Sequence, residues 1–322
     1  YQESLERFTE AKKAGVDYIR LAPNKWLNGR THAQRGDFLI GRASDYEGII
    51  EKDFQRLLEV LNYAKKAEVK VVLTMLSLPK RRWTQHNGDL GQERKIWKSF
   101  NAQKDAIRFW KEIATRLKNH PTVVGYNIIN EPSAEKVSPK YNEIFNGNSY
   151  QRYAEKVEGS PRDLNLFYAK MIEAIRSVDK NTPVILDSGH WANAHAFAGL
   201  KKQSDKKVLY SFHMYDPYPF TLGKNGGDYR YPGEIPLTES LSKKKWNKKT
   251  IREFLSPVLE WMKANKVSAE SILVGEFGVR RDRVGAVTYL KDVMNIFDSL
   301  GFHWAFYSCL LYTSPSPRDS CA

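Results

Sequence analysis

Cysteine and long apolar runs are both scarce in this chain of 322 residues. Its two cysteines, Cys309 and Cys321, lie within the last fourteen residues, which argues against a disulfide framework, a cysteine zinc site and a cysteine nucleophile. No apolar run approaches the roughly 20 residues that span a bilayer, which argues against a membrane-embedded protein. Acidic residues are the minority charge, with 37 Asp and Glu against 51 Lys and Arg, a formal net charge of +14.

The excess of positive charge allows one interpretation, a non-catalytic protein that binds nucleic acid or another acidic polymer. The basic residues are spread over predicted helices and loops, however, and no nucleic-acid-binding motif accompanies them. We therefore expect no nucleic-acid partner; binding that weakens steeply with salt, without hydrolysis, would favour the polymer binder. The densest basic run, 243–249, is a candidate for adhesion to anionic polymers.

The last residues break the pattern of the rest. From Cys309 to Ala322 the chain reads CLLYTSPSPRDSCA, which resembles the translation of a sequencing adaptor; a natural disordered tail rich in proline and serine is the alternative. We therefore expect one domain over residues 1–308 and a non-native or disordered tail over 309–322. The chain opens on Tyr1, and we expect a secreted or periplasmic protein whose signal region lies outside this chain.

Short apolar runs alternate with longer helical patterns along the first 308 residues. The predicted strands are Asp17–Ala22, Lys70–Met75, Val123–Ile129, Pro183–Asp187, Val208–Phe212, Ser271–Gly275 and Phe302–Tyr307. The predicted helices are Ser4–Ala14, Glu51–Glu68, Gln103–Leu117, Leu164–Val178, Ala192–Leu200, Ile251–Asn265 and Val284–Leu300. Apolar strands joined by helices predict a parallel sheet covered on both faces.

Loop lengths distinguish the two ways to arrange such a sheet, an open doubly wound sheet or a barrel. Connections from helix to strand are short, such as 118–122, whereas several from strand to helix are long, such as 131–163 and 215–250. Elaboration at one end of the strands is typical of a barrel, and the glycine-rich turn of an open nucleotide-binding sheet is missing. We predict an α/β fold, a (β/α)8 TIM barrel that lacks its first strand and last helix.

Two glutamates that end predicted strands are the candidates for chemistry. Glu131 ends an apolar strand in the motif Asn-Glu-Pro, and Glu276 ends another in Gly-Glu-Phe-Gly. A carboxylate there is costly unless it has a use, because desolvation disfavours its charge; a salt-bridged structural role is the alternative for each. A pair of carboxylates at the ends of barrel strands is what glycoside hydrolysis requires.

These motifs, in this register, resemble glycoside hydrolase family 5, the retaining (β/α)8 enzymes of the cellulase and mannanase type, from about Tyr18 to Ser308. The resemblance implies that Glu131 is the acid/base and Glu276 the nucleophile of a double displacement on a β-linked glycan, with β-1,4-glucan or mannan expected. Carboxyl groups about 5–5.5 Å apart would fit retention, and about 6.5–9.5 Å would imply inversion. We expect no cofactor, no metal, no membrane partner and a monomer.

The resemblance also implies residues that hold the sugar and the two carboxylates. Arg20 matches the arginine under the nucleophile, where a cation would keep Glu276 ionised. Asn130 matches the residue that hydrogen-bonds the sugar 2-hydroxyl. His213 and Tyr215 match the pair that contacts the acid/base and the nucleophile, respectively.

Aromatic residues supply the remaining candidates for sugar contacts. Trp304 matches the family tryptophan that lies under the reacting sugar. An aromatic ring suits that place because its face stacks on the C–H face of a pyranose. One or two of the loop tryptophans are expected to form further subsite platforms, with Trp191 in the predicted set; they are Trp26, Trp83, Trp97, Trp191 and Trp246.

The chain departs from the family at one place. The histidine that usually ends the third strand is missing from the run 73–79, where Ser77 is nearest and Trp83, Gln85 and His86 follow. The sugar contact made by that histidine, and with it the subfamily, is therefore open.

A metal-dependent sugar isomerase is the enzymatic alternative. Its oxygen-rich site would be drawn from Glu131, Asp187, His190, His213 and Glu276. Arg20 beside the same cluster would repel a divalent ion, which favours the hydrolase; loss of activity on adding a chelator would favour the isomerase.

Overall fold

Seven parallel strands occupy the predicted positions in a computed structural model of the chain. The structure describes residues 2–23, 37–82, 94–137, 146–223, 226–237 and 242–307. It divides into two compact units, residues 1–211 and residues 212–322. Several predicted positions lie outside the described residues: Trp26, Trp83, Gln85, His86 and the tail 309–322. The single domain over 1–308 stays a prediction.

The first unit is built on parallel strands that follow one another in chain order. They are β1 (Tyr18–Leu21), β2 (Lys70–Thr74), β3 (Val123–Asn127), β4 (Val184–Asp187) and the first part of β5 (Val208–Met214). Each pairs in parallel with the next, for example Leu21 with Leu73 and Leu73 with Tyr126. Because these strands run in the same direction, their carboxyl ends meet at one edge of the sheet. Each connection must therefore cross back over the sheet, usually through a helix.

The helices of the first unit are α1 (Gln2–Lys13), α2 (Glu51–Lys66), α3 (Phe100–Leu117), α4 (Gly147–Lys156) and α5 (Leu164–Arg176). α3 shows how sequence produces them. Ser99 caps its first turn by accepting from the Ala102 N–H at 3.2 Å, and an apolar stripe faces the core. On that stripe the Trp110 indole donates to the Ile128 carbonyl at 2.8 Å, which fixes α3 beside the end of β3.

Two connections differ from the prediction. α4 lies inside the long connection 131–163, where Asn146 and Ser149 form a reciprocal capping box and two tyrosines bury one face. The predicted helix 192–200 is instead a 3-10 turn, Ala194–Gly199, capped by Asn193. In both segments an asparagine side chain accepts a hydrogen bond from a backbone N–H of the first turn, Asn146 in α4 and Asn193 in the 3-10 turn, and this favours the local structure.

The second unit contains the end of β5, the antiparallel hairpin of β6 (Gly233–Pro236) and β7 (Lys243–Trp246), and the parallel strands β8 (Ile272–Phe277) and β9 (His303–Phe306). Its helices are α6 (Lys248–Phe254), α7 (Ser256–Asn265) and α8 (Ala286–Leu300). The sequence predicts one helix over 251–265, but α6 and α7 are separate. Pro257 in the first turn of α7 has no N–H to continue the hydrogen bonds of α6.

The basic run 243–249 forms β7 and the start of α6. The strand β7 is not predicted from the sequence. The three lysines of β7 are exposed, whereas Trp246 is buried and donates from its indole to the Ile235 carbonyl at 3.1 Å. Trp97 is also buried, edge-on to Phe167. Both rings belong to the core, so neither is among the one or two loop tryptophans that are expected to form sugar platforms.

Short helical segments and one turn with left-handed backbone, Gly189–Ala192, complete the connections: Lys95–Trp97, Ala134–Val137, Gly189–Ala192, Tyr218–Thr221, Gly226–Asp228 and Ala269–Ser271. All but the last follow the carboxyl end of a strand, in agreement with the predicted elaboration at that edge. In the part of the chain that the structure describes, no helix combines the length and the apolar character needed to cross a membrane.

Candidate active site

Glu131 follows β3 at the carboxyl-terminal edge of the first unit's sheet. The Asn130 N–H donates to the Met75 carbonyl at 2.9 Å, so the chain still runs beside the segment after β2. At Glu131 the backbone then enters the left-handed region, with a φ of 47°. A conformation of this kind costs a non-glycine residue about 1–3 kcal/mol and persists where surrounding contacts enforce it, often at functional sites.

A buried polar network contacts the backbone of Glu131. Arg20 on β1 donates from Nη2 to the side-chain oxygens of Asn127 and Asn130, both at 2.7 Å. Asp187 at the end of β4 is fully buried and accepts from Asn127 Nδ2 at 3.1 Å and from the Glu131 N–H at 3.2 Å. Arg20 Nη2 lies 3.4 Å from Asp187 Oδ2, so the two buried charges are paired. The network joins the ends of three strands to one peptide group of Glu131.

The sequence does not single out Asn127, and it assigns Asp187 only to the alternative metal site. A polar residue within an apolar strand is the signal that could have found both. Asp187 is engaged by Arg20 and by backbone and amide donors, and His190 Nδ1 lies 2.7 Å from His195 Nε2. Two members of the predicted metal set, Asp187 and His190, are therefore bound by other protein groups. For Asp187 one of these groups is the Arg20 cation.

In the second unit, Glu276 lies near the end of β8, where pairing with β9 is irregular between Val274 and Phe277. Bulges of this kind often re-aim side chains beside active sites. The Tyr215 hydroxyl donates to Glu276 Oε2 at 2.9 Å, the contact that the resemblance implies. His213 is buried, and its Nδ1 lies 3.8 Å from the same oxygen. Two side chains from the end of β5 thus face the Glu276 carboxylate.

The opposite face of these strands packs on α8. Phe212 and Phe277 lie edge-on to Phe297 of α8, with ring centroids 6.4 and 5.3 Å apart. His213 follows Phe212 and Glu276 precedes Phe277, so both polar side chains lie on the face away from α8.

Trp304 lies on the α8 face, and this corrects the prediction that it contacts the reacting sugar. Its ring packs edge-on against Phe277 at 5.5 Å, and its Nε1 donates to Asp298 of α8 at 2.9 Å. Tyr307 lies three residues further, on the opposite face of the strand. Its ring centroid is 6.4 Å from that of Tyr215, which holds the β8 carboxylate. Tyr307 is therefore the aromatic residue of this segment on the carboxylate side.

Trp191 lies in a segment after β4 with an unusual backbone. His190, Trp191 and Ala192 all have positive φ, at 50°, 58° and 59°. Lys136 places its Nζ 4.2 Å from the centroid of the Trp191 ring, a cation–π contact. Trp191 is partly exposed, and its role as a sugar platform stays a prediction.

The contact between His190 and His195 predicts a fold that is sensitive to acid. Burial lowers the pKa of His190 to about 4 and that of His195 to about 3, and Lys136 adds to the effect on His190. The unfolded chain binds these protons near pH 6.5, so the stabilisation is complete above that pH and is lost as the pH falls through the folded pKa values, about 4 for His190 and about 3 for His195. For His190 alone the loss is roughly 3 kcal/mol. We expect the melting temperature to fall over this window, and to fall less in His195→Gln.

The control for this prediction is His303→Gln, which changes an exposed histidine on β9. It should follow the pH dependence of the unmodified protein. Identical slopes of melting temperature against pH in the unmodified protein and His195→Gln would contradict the prediction.

Comparison with known proteins places the chain in a family. The model of the cellulase family, glycosyl hydrolase family 5, matches residues 3–310. Endoglucanase C of Acetivibrio thermocellus is 22% identical over 301 residues, which cover 86% of this chain and 74% of that protein. The solved structure of endoglucanase Cel5A from Thermotoga maritima aligns with a TM-score of 0.65 at 20% identity, over 94% of this chain and 82% of that one. The same enzyme in complex with mannotriose gives 0.63 at 20% identity, over 95% and 82%.

The structural similarity confirms the predicted α/β barrel fold, and the family match confirms the predicted enzyme class, a hydrolase of O-glycosyl bonds. Seven parallel strands, two glutamates at strand ends and a family model that spans nearly the whole described chain lead to one assignment. This chain belongs to glycosyl hydrolase family 5.

Proposed function

We propose that the enzyme hydrolyses β-linked glucan with retention of anomeric configuration, with Glu276 as nucleophile and Glu131 as acid/base. The observation that carries the proposal is the place of each glutamate at the carboxyl-terminal end of a parallel strand, where barrel enzymes hold their catalytic groups. Each has its own polar support: Asp187 accepts from the Glu131 N–H, and Tyr215 donates to the Glu276 carboxylate.

The first step transfers the sugar to the enzyme. An oxygen of Glu276 attacks the anomeric carbon, and the bond from that carbon to the glycosidic oxygen breaks. The departing oxygen keeps the electron pair and takes the proton of the Glu131 carboxyl. The hydrogen bond from Tyr215 to Oε2 of Glu276 would hold the carboxylate in place for this attack.

The second step releases the sugar. Glu131, now a carboxylate, takes a proton from a water molecule whose oxygen attacks the anomeric carbon. The ester bond breaks, and Glu276 leaves as a carboxylate. Each step inverts the anomeric carbon, so the product keeps the configuration of the substrate, and the route uses no cofactor or metal.

Residues around the carboxylates would hold the sugar. Asn130 Oδ1 accepts from Arg20, which orients the amide so that its nitrogen can donate to a sugar hydroxyl. Tyr307, on the carboxylate side of its strand, takes the place as a sugar platform that the sequence assigns to Trp304. Trp191 remains the candidate platform after β4.

β-1,4-Glucan is the substrate that the comparisons favour, because one relative is named Endoglucanase C and a solved neighbour is described as an endo-β-1,4-glucanase in complex with substrate. Mannan is the second candidate, because a solved neighbour is described in complex with mannotriose. Secretion and a monomeric state are expectations that accompany this role.

Activity on a set of polysaccharides tests the proposal. We expect release of reducing ends from β-1,4-glucan, slower release from mannan and little from xylan, with the β-anomer first in proton NMR spectra of the products. The α-anomer appearing first would contradict retention. Binding to anionic polymers without any hydrolysis would favour the basic binder, and loss of activity with chelator would favour the metal-dependent alternative.

A further inference from the structure

Arg81 is a buried arginine that the family resemblance does not account for. It follows β2, and its backbone forms a two-way bridge with Leu78, with both N–H to carbonyl distances at 2.8 Å. Its side chain is fully buried in the first unit. A buried guanidinium is costly unless its donors are used, so its partners indicate why it is there.

The Arg81 guanidinium donates to three backbone carbonyls at the ends of two neighbouring strands. Nη1 donates to the Leu76 carbonyl at 2.5 Å, and Nη2 donates to the carbonyls of Asn130 and Glu131, both at 3.1 Å. Only arginine offers donors in a rigid fork of this reach, whereas the single ammonium group of lysine is compact. Arg81 therefore joins the segment after β2 to the two residues that end β3.

The two peptide groups that flank the Cα of Glu131 are thus held from different sides. The preceding peptide has its N–H bonded to Asp187, and the following peptide has its carbonyl bonded to Arg81. Between them the backbone has a φ of 47°, which a glutamate rarely adopts unless it is held there. Fixing both peptide planes fixes the direction of the Cα–Cβ bond and so the starting point of the carboxyl side chain.

We infer that Arg81 is a positioning residue for the acid/base of the reaction, acting through the Glu131 backbone. The inference rests on the proposed function, which makes Glu131 the proton donor to the leaving group. Without Arg81 the Glu131 peptide can relax out of the left-handed region, and the carboxyl moves away from the departing oxygen. A small displacement of such a group is enough to lose most of its contribution to the rate.

Leaving-group dependence separates this role from a structural one. The unmodified enzyme, Arg81→Met and Arg81→Lys are assayed on two aryl β-cellobiosides, one that releases acidic 2,4-dinitrophenol and one that releases phenol. The first needs little proton donation and the second needs it fully. We expect Arg81→Met to lower kcat/KM by about 10²-fold on the phenyl substrate and by less than about fivefold on the dinitrophenyl substrate. Arg81→Lys should lie between, since it keeps the charge but not the fork.

Arg283 offers a matched control in the second unit. It is also buried, and it donates to two backbone carbonyls, those of Phe220 at 3.0 Å and Gly223 at 2.8 Å. Arg283→Met should lower the melting temperature while any loss of kcat/KM is the same factor on both substrates.

Each outcome is decisive. If folded Arg81→Met loses the same factor on both substrates, the inference is overturned; if that variant does not fold, Arg81→Lys decides by the same ratio. A Glu131→Gln variant provides a further comparison, in which kcat/KM falls much more on the phenyl substrate than on the dinitrophenyl substrate while neither Arg81 variant shows this difference. That result would overturn the inference and leave the proposed function standing. An unmodified enzyme that cleaves neither cellobioside nor β-glucan would overturn the proposed function, and the inference with it.

Discussion

Replacing Glu276 by alanine is expected to lower kcat/KM on β-1,4-glucan by roughly 10⁴-fold or more, because the proposed mechanism needs its carboxylate to form the glycosyl ester. The fold should survive the change. The carboxylate lies on the face of β8 away from α8, and the aromatic packing of Phe277 on α8 does not depend on it. Reducing-sugar release and a thermal melt of the same preparation measure the two quantities.

A small anion distinguishes a missing nucleophile from a damaged site. Added azide or formate can occupy the space left by the Glu276 carboxylate and attack the anomeric carbon of a 2,4-dinitrophenyl glycoside. Azide should then restore the release of dinitrophenol and yield the α-glycosyl azide, because only one inversion occurs.

Glu270→Ala is the matched control, since it removes an exposed carboxylate just before β8. It should retain the activity of the unmodified enzyme. Glu276→Ala retaining more than about a tenth of the original kcat/KM would exclude Glu276 as the nucleophile.

Replacing Glu131 by alanine should give a different signature. On β-glucan, whose leaving group is a sugar hydroxyl, we expect kcat/KM to fall by about 10²–10⁴-fold, the usual contribution of a general acid. On a 2,4-dinitrophenyl glycoside kcat/KM should change little, because the leaving group needs no proton, while kcat falls because water is no longer activated. Azide should raise that kcat and give the β-glycosyl azide, the product of two inversions.

The matched control for Glu131 is Glu173→Ala, which changes an exposed carboxylate on α5 in the same unit. Its rates on both substrates should equal those of the unmodified enzyme. If Glu131→Ala loses the same factor on both substrates, or if azide yields the α-product, Glu131 is not the acid/base and the two glutamates need reassignment.

The sequence predicted the strands well because their signal is local. All seven parallel strands lie within two residues of the predicted bounds, since an apolar run is visible without knowing its neighbours. Glu131 follows β3, and Glu276 lies near the end of β8. Strand direction alone predicts that each lies at the carboxyl-terminal end of its strand, where barrel enzymes hold their catalytic groups. The hairpin of β6 and β7 was missed because three of the four residues of β7 are lysines, a composition typical of a solvated loop.

Facing and contact could not be predicted in the same way. Trp304 and Tyr307 are both aromatic residues near the end of the last strand, and their order in the chain does not say which one lies on the side of Glu276. Packing on α8 decides it, because Phe277 and Asp298 hold Trp304 on the helix side. Resemblance to a family motif selected Trp304, the ring on the helix side, because a shift of three residues along a strand reverses the face.

The sequence by itself thus determined the succession of strands and helices and the two glutamates at strand ends, because periodicity and strand direction are properties of short stretches of chain. The tertiary structure alone decided what surrounds Glu131. Arg81 and Asp187 are 50 and 56 residues away from it along the chain. They meet its backbone only because neighbouring parallel strands end at one edge, where the buried donors and acceptors of each strand must find partners on the next.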